Sequence, residues 1–172
     1  MTGNLEEEWK AISDLVEEMK RCSDADIPVA AVAMAFICID ALANLSRPKD
    51  RARVTRSDFK LWVDKYLKAH PSQIYQYKGK DVYAARCSFL HTYGSEAELH
   101  KENDTIKFTY HDGGKHEYIP DDKNGFVVIG IESFINDTAL AVDSFLVQCS
   151  SDLSLNSLVK DRLSKMFICR SH

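Results

Sequence analysis

The segment IPVAAVAMAFICIDALANL, residues 27–45, constrains this chain most, because it is apolar on every helical face until Asp40. A helix of that kind is buried all round, and in a chain of 172 residues it has to be the element the others pack against. Pro28 stands where a first helical turn tolerates proline. The strictly uncharged run from Ile27 to Ile39 is 13 residues, shorter than the roughly 20 that cross a bilayer, so a core helix is expected and no membrane span. Alanines at 30, 31, 33, 35, 41 and 43 give other helices, or a second subunit, room to come close.

Around this centre the apolar spacing predicts further helices. Leu5, Trp9, Ile12, Val16 and Met19 recur at threes and fours among acidic residues, which makes residues 4–21 an amphipathic surface helix. A third helix is expected from an N-cap at Ser57, with Phe59, Trp62, Val63, Tyr66 and Leu67 inward, ending before Pro71. A fourth spans about Asp81 to Tyr93 and stops at Gly94. Two more close the chain. One runs from Glu132 to Cys149 with Phe134, Ile135, Leu140, Val142, Phe145 and Leu146 buried; the other runs from Leu155 to Phe167.

Between the fourth and fifth helices the period changes to two. Residues 105–110 alternate, HDGG separates them from Lys115–Ile119 as a hairpin would, and Phe126–Ile131 is a third β-rich run. The expected architecture is one mainly α domain over 1–172, a bundle of five or six helices with a small antiparallel β insert at about 104–131.

Charge and cysteines limit the chemistry. With 22 Lys and Arg against 26 Asp and Glu, the chain lacks the overall basic field of a non-specific nucleic-acid binder, so any contact with RNA or DNA is local. Five widely spaced cysteines without a CxxC pair suggest free thiols in a reducing compartment, and the acidic start MTGNLEEEWK is unlike a secretory signal; a cytoplasmic protein is expected. The seven glycines form no phosphate-binding loop, and neither GxSxG nor HExxH occurs. His111 and His116 flank the expected hairpin turn beside Asp112 and Glu117, a place where polar residues collect for ordinary reasons, so no metal and no cofactor are expected. One basic cluster stands out: RPKDRARVTR, residues 47–56, offers Arg47, Lys49, Arg51, Arg53 and Arg56 either as a solvated loop balancing the acidic first helix or as phosphate contacts.

The remaining chemistry-bearing phrase is DVYAARCSFLHTYG, where Arg86, four intervening residues and His91 fall late in the fourth helix. Asp40 is the one acid inside the apolar second helix. With ICIDALANL and FKLWVDKYL, this phrase resembles the HEPN superfamily, helical bundles whose catalytic members carry R-x4-6-H on a late helix, and in particular a bacterial subgroup with strands inserted before the last helices. The specific words span residues 36–94. The resemblance implies metal-independent RNA cleavage to a 2′,3′-cyclic phosphate and a 5′-OH, in a homodimer of toxin or phage-defence type whose partner is a cognate antitoxin or a nucleotidyltransferase. Carried over, Arg86 binds and stabilises the phosphate, His91 handles the proton, and Asp40 and Tyr93 support them. An imidazole that titrates near neutrality and a permanently charged guanidinium that forks onto phosphoryl oxygens suit that reaction. Cys87 stands where active relatives place Asn, Asp or His.

Residues five apart lie about 140° around a helix, so convergence of Arg86 and His91 is expected to need a loosened helix end or a second subunit. The competing expectation is a non-catalytic helical interaction module. There Arg86 pairs with Asp40 to fix helix packing, and His91 meets the carbonyls at its helix end.

Overall fold

The computed structural model describes residues 3–92, 105–120 and 125–166, with side chains from Trp9 onward in the first helix and up to His91 in the fourth. These residues form α1 (Gly3–Asp24), α2 (Pro28–Ser46), α3 (Arg56–Tyr66), α4 (Gly79–Thr92), β1 (Lys107–His111), β2 (Glu117–Ile119), β3 (Phe126–Gly130), α5 (Ile131–Ser151) and α6 (Leu153–Leu163).

Helix α2 is the hub. It packs against α1, α3, α4, α5 and α6, and buries Val32, Phe36, Ile39 and Leu42 completely or nearly so. Apolar residues on every face favour a central position, but α2 is not buried all round as expected: Val29 and Ile37 are 44 % and 42 % exposed. By length and composition α2 could cross a membrane; half of its apolar window is buried inside the fold. Its partly exposed stripe holds Ala30, Ala33, Met34, Ile37, Asp40 and Ala41. Helix α1 contributes Ile12 and Met19 to the core, with Trp9 and Val16 half-buried beside them.

Local signals set the helix ends. Thr55, not Ser57, caps α3: its hydroxyl accepts from Asp58 N at 3.3 Å, while the Asp58 carboxylate accepts from Thr55 N at 2.8 Å. This reciprocal capping box satisfies two backbone donors, which a lone Ser57 cap could not. At the other end of α2, Arg162 of α6 donates to the carbonyl oxygens of Leu45 and Arg47 at 2.7 and 2.5 Å and to that of Pro48 at 3.2 Å. A cation from a helix more than a hundred residues away thus neutralises the negative end of α2.

The insert is a mixed sheet of order β1-β3-β2, not an antiparallel one. Strand β3 takes the middle, parallel to β1 (Phe108 beside Val127) and antiparallel to β2 (Tyr118 beside Val127). The expected β1–β2 hairpin does not form: β3, whose Val127 and Ile129 are fully buried on one face, pairs with a strand on each edge. Three-residue β2 is left as a short edge with Tyr118 and Ile119 partly exposed. The His111 ring closes the loop after β1, with Gly113 N donating to Nδ1 at 3.0 Å and Nε2 reaching Lys115 O at 2.7 Å. Gly130 ends β3 against that loop, where a Cβ would lie 2.6 Å from Gly113 O.

One expected core residue is not in the core: Leu140 of α5 is 59 % exposed, on the same outward stripe as Val147. The side-chain spacing of α5 fits two overlapping faces, and the one carrying Ala141, Val142, Phe145 and Cys149 wins because α2 and α6 lie there.

Candidate functional site

The chemistry-bearing residues ride on α4, and its position is fixed at its first turn. Gly79 N donates to Asp64 Oδ1 of α3 at 2.5 Å, and a Cβ on Gly79 would stand 2.3 Å from Lys60 O and 2.8 Å from Lys60 Cα. Only glycine lets the two backbones approach so closely. Asp81 ties the same turn to the sheet region: Tyr75 Oη donates to its Oδ2 at 2.5 Å and Ile106 N to its Oδ1 at 3.1 Å. Burial raises the Asp81 carboxyl above its ordinary value, against the bonds from Tyr75 and Ile106 that lower it.

Two turns on, Arg86 meets both of its expected partners. Its Nε and Nη2 donate to Asp40 Oδ2 at 2.8 and 2.6 Å, and its Nη1 lies 3.0 Å from His91 Nε2. The expectation that residues five apart on one helix need a frayed end or a second subunit is therefore corrected. A guanidinium at the end of a long flexible stem crosses the angle that the Cβ positions leave open. Arginine can only donate, so Nε2 of His91 accepts and carries no proton in this arrangement. Arg86 and Asp40 side chains retain 22 % and 29 % exposure, and His91 is exposed, so the cluster is reached from solvent. Burial raises the Asp40 carboxyl more than Arg86 and His91 lower it. Burial disfavours charge on Arg86, yet Asp40 outweighs it and holds the guanidinium above its ordinary value.

Burial, then the neighbouring Cys87, holds the Tyr83 hydroxyl above its ordinary value. Beyond Tyr83 stand two cations, with Arg56 Cζ and Lys60 Nζ 5.6 and 5.8 Å from the ring centroid.

The basic segment is not one patch. Arg47 is used up inside its own loop, donating to Asn44 O at 2.5 Å, Arg51 O at 3.0 Å and Ala52 O at 3.2 Å. Arg51 pairs with Asp58 of the capping box. Lys49 and Arg53 are exposed, and Arg56 has left the loop to begin α3 beside Tyr83. Tyr93 lies outside the described residues.

The two histidines of the insert are also separated by role. His111 is bound to its own turn, whereas His116 is fully buried with Tyr77 and Asp137. Gly130 N donates to His116 Nδ1 at 3.1 Å, leaving the proton on Nε2, which faces Tyr77 Oη; Tyr77 in turn donates to Asp137 Oδ2 at 3.3 Å. Gln73 joins in, accepting from His116 N at 2.6 Å and donating to Ser133 Oγ at 2.8 Å. Burial, then Asp137, holds the Tyr77 hydroxyl well above its ordinary value. Nothing in the sequence spacing linked positions 77, 116 and 137, because each comes from a different segment. This network fastens the sheet to α5 and is closed to solvent. Among the described residues no group of three or more His, Cys, Asp or Glu side chains is placed to hold a metal.

Comparison of the chain with family models, with curated proteins and with solved structures gives no match.

Proposed function

We propose that this chain is a HEPN-like, metal-independent endoribonuclease that cuts RNA to a 2′,3′-cyclic phosphate and a 5′-OH. The observation that carries the reading is the 3.0 Å approach of Arg86 Nη1 to His91 Nε2 on a solvent-reachable surface. A phosphodiester arriving there takes over the guanidinium and frees the Nε2 lone pair, which then accepts the proton of the ribose 2′-OH. The 2′-oxygen attacks phosphorus, the bond to the 5′-oxygen breaks as that oxygen takes a proton from water to leave as the 5′-OH, and Arg86 balances the charge that grows on the phosphoryl oxygens. Asp40 holds the guanidinium edge-on through Nε and Nη2, leaving Nη1 to turn to the phosphate. In this reading the protein works in the cytoplasm as a homodimer of toxin or phage-defence type, with a cognate antitoxin or nucleotidyltransferase as partner and no membrane attachment.

A second reading also has an observation of its own. The double contact of Arg86 with Asp40 joins α4 to α2, as an ion pair does in a purely structural helical module. His91 separates the two, because it is exposed and takes no part in the Arg86–Asp40 pair. His91→Ala is expected to leave the melting temperature within about 2 °C of wild type and to abolish RNA cutting in EDTA, with Arg86→Ala losing both cutting and stability. Undiminished cutting by His91→Ala removes it from the site, whereas wild-type protein that cuts no RNA leaves the structural module.

A further inference from the structure

Arg56 and Lys60 sit one helical turn apart on α3 and both lean on the ring of Tyr83. Tyr83 is itself held by an edge-on contact with Phe59, ring centroids 5.3 Å apart. The acids that could neutralise these cations are committed elsewhere: Asp58 to Arg51 and Thr55, Asp64 to Gly79 N. Neither Arg56 nor Lys60 has an acidic partner among the described residues, so two positive charges are gathered over one aromatic ring without compensation. Tyr83 precedes Arg86 by three residues, about 4.5 Å along α4. Tyr83 thus links the two α3 cations to the helix that carries Arg86 and His91.

We propose that Arg56 and Lys60, positioned by Tyr83, form a second phosphate subsite beside Arg86, so that the chain takes a single-stranded polynucleotide and engages at least two consecutive phosphates. This rests on the ribonuclease reading for the role of Arg86, and adds the substrate's length and strandedness. A guanidinium and an ammonium held together recognise a diffuse dianionic stretch of backbone, not a base edge, so the subsite carries affinity and no sequence preference. A duplex would present its phosphates along a rigid groove, whereas a short fork between two helices suits a strand that bends to it.

The test uses labelled single-stranded RNA of twelve nucleotides, the whole chain, and the double variant Arg56→Gln/Lys60→Gln. Binding is read by anisotropy in the His91→Ala background across a salt series. The double variant is expected to bind at least about tenfold more weakly at low salt, and its log Kd against log salt slope should fall by about 1.4, two contacts at roughly 0.7 each. With His91 intact, kcat/KM on the twelve-mer should fall while that on a dinucleoside monophosphate stays as in wild type. Tyr83→Leu should resemble the double variant, and Tyr83→Phe should stay closer to wild type because the ring still orients both cations. Equal affinity and slope in the double variant overturn the subsite while leaving the ribonuclease reading standing. An equal fall on both substrates overturns it too, as damage to the fold. If wild type binds and cuts no RNA, the ribonuclease reading falls and takes the subsite with it.

Discussion

Asp58 carries three tasks with one carboxylate: it closes the capping box with Thr55, pairs with Arg51 and anchors the loop that follows α2. Burial alone would raise its pKa, but the bonds from Thr55 and Arg51 win and hold it below the ordinary carboxylate value. A depressed folded value means stability that is present above the unfolded pKa and lost as pH falls through the folded one. Asp58→Ala is expected to cost about 1–2 kcal/mol near neutral pH and to flatten the acid limb of a melting-temperature profile below the ordinary carboxylate range; an unchanged acid limb contradicts the assignment. Asp40 and Asp81 have the opposite sign, since their raised values make ionisation costly in the fold and ease as pH falls. At this scale the sequence was a partial guide. Thr55 lay two residues from the expected Ser57 cap, and the acid three positions after Thr55 was the overlooked signal. Arg86, His91 and Asp40 were legible as a group because an acid in an apolar helix and a basic motif on another need each other. The meeting of Arg86 with His91 within one chain was not, because helical angles describe Cβ directions and not the reach of a guanidinium.

The two elements that matter most to the site, α3 and α4, are held by one glycine. Gly79 brings the start of α4 onto the Lys60 backbone, and through it sets where Tyr83 and Arg86 stand relative to Arg56 and Lys60. Gly79→Ala is therefore expected to destabilise the fold by about 1–3 kcal/mol, because a Cβ would press on backbone that cannot yield, and to lower RNA cutting beyond what the lost stability explains. Chemical denaturation together with cutting at a temperature where the variant is fully folded checks both; wild-type values for each would show that the close approach does not position α4. The helices themselves were legible from their periodicity, since apolar spacing at threes and fours dictates the buried stripe. The sheet was not. Alternation marked the strands and their faces but carries no information on strand order, and β3 lies between the two strands that HDGG suggested as a hairpin.

Across the whole molecule, α2 organises five other helices, and every feature of the candidate site is arranged relative to it. Asp40 projects from its partly exposed stripe to hold Arg86, and Arg162 caps its far end. The Tyr77–His116–Asp137 network is a separate, buried cluster that joins the loop before α4 and the insert to α5. The buried network and the α3–α4 cation pair escaped the sequence because both join segments far apart in the chain. The central claim is that one guanidinium and one imidazole act together on an RNA phosphodiester, and the end groups of the cut strands report on that most directly. RNA incubated with the purified chain in EDTA and analysed by mass spectrometry should carry 2′,3′-cyclic phosphate and 5′-hydroxyl ends. Intact RNA, or fragments ending in 3′-hydroxyl and 5′-phosphate, would contradict the account.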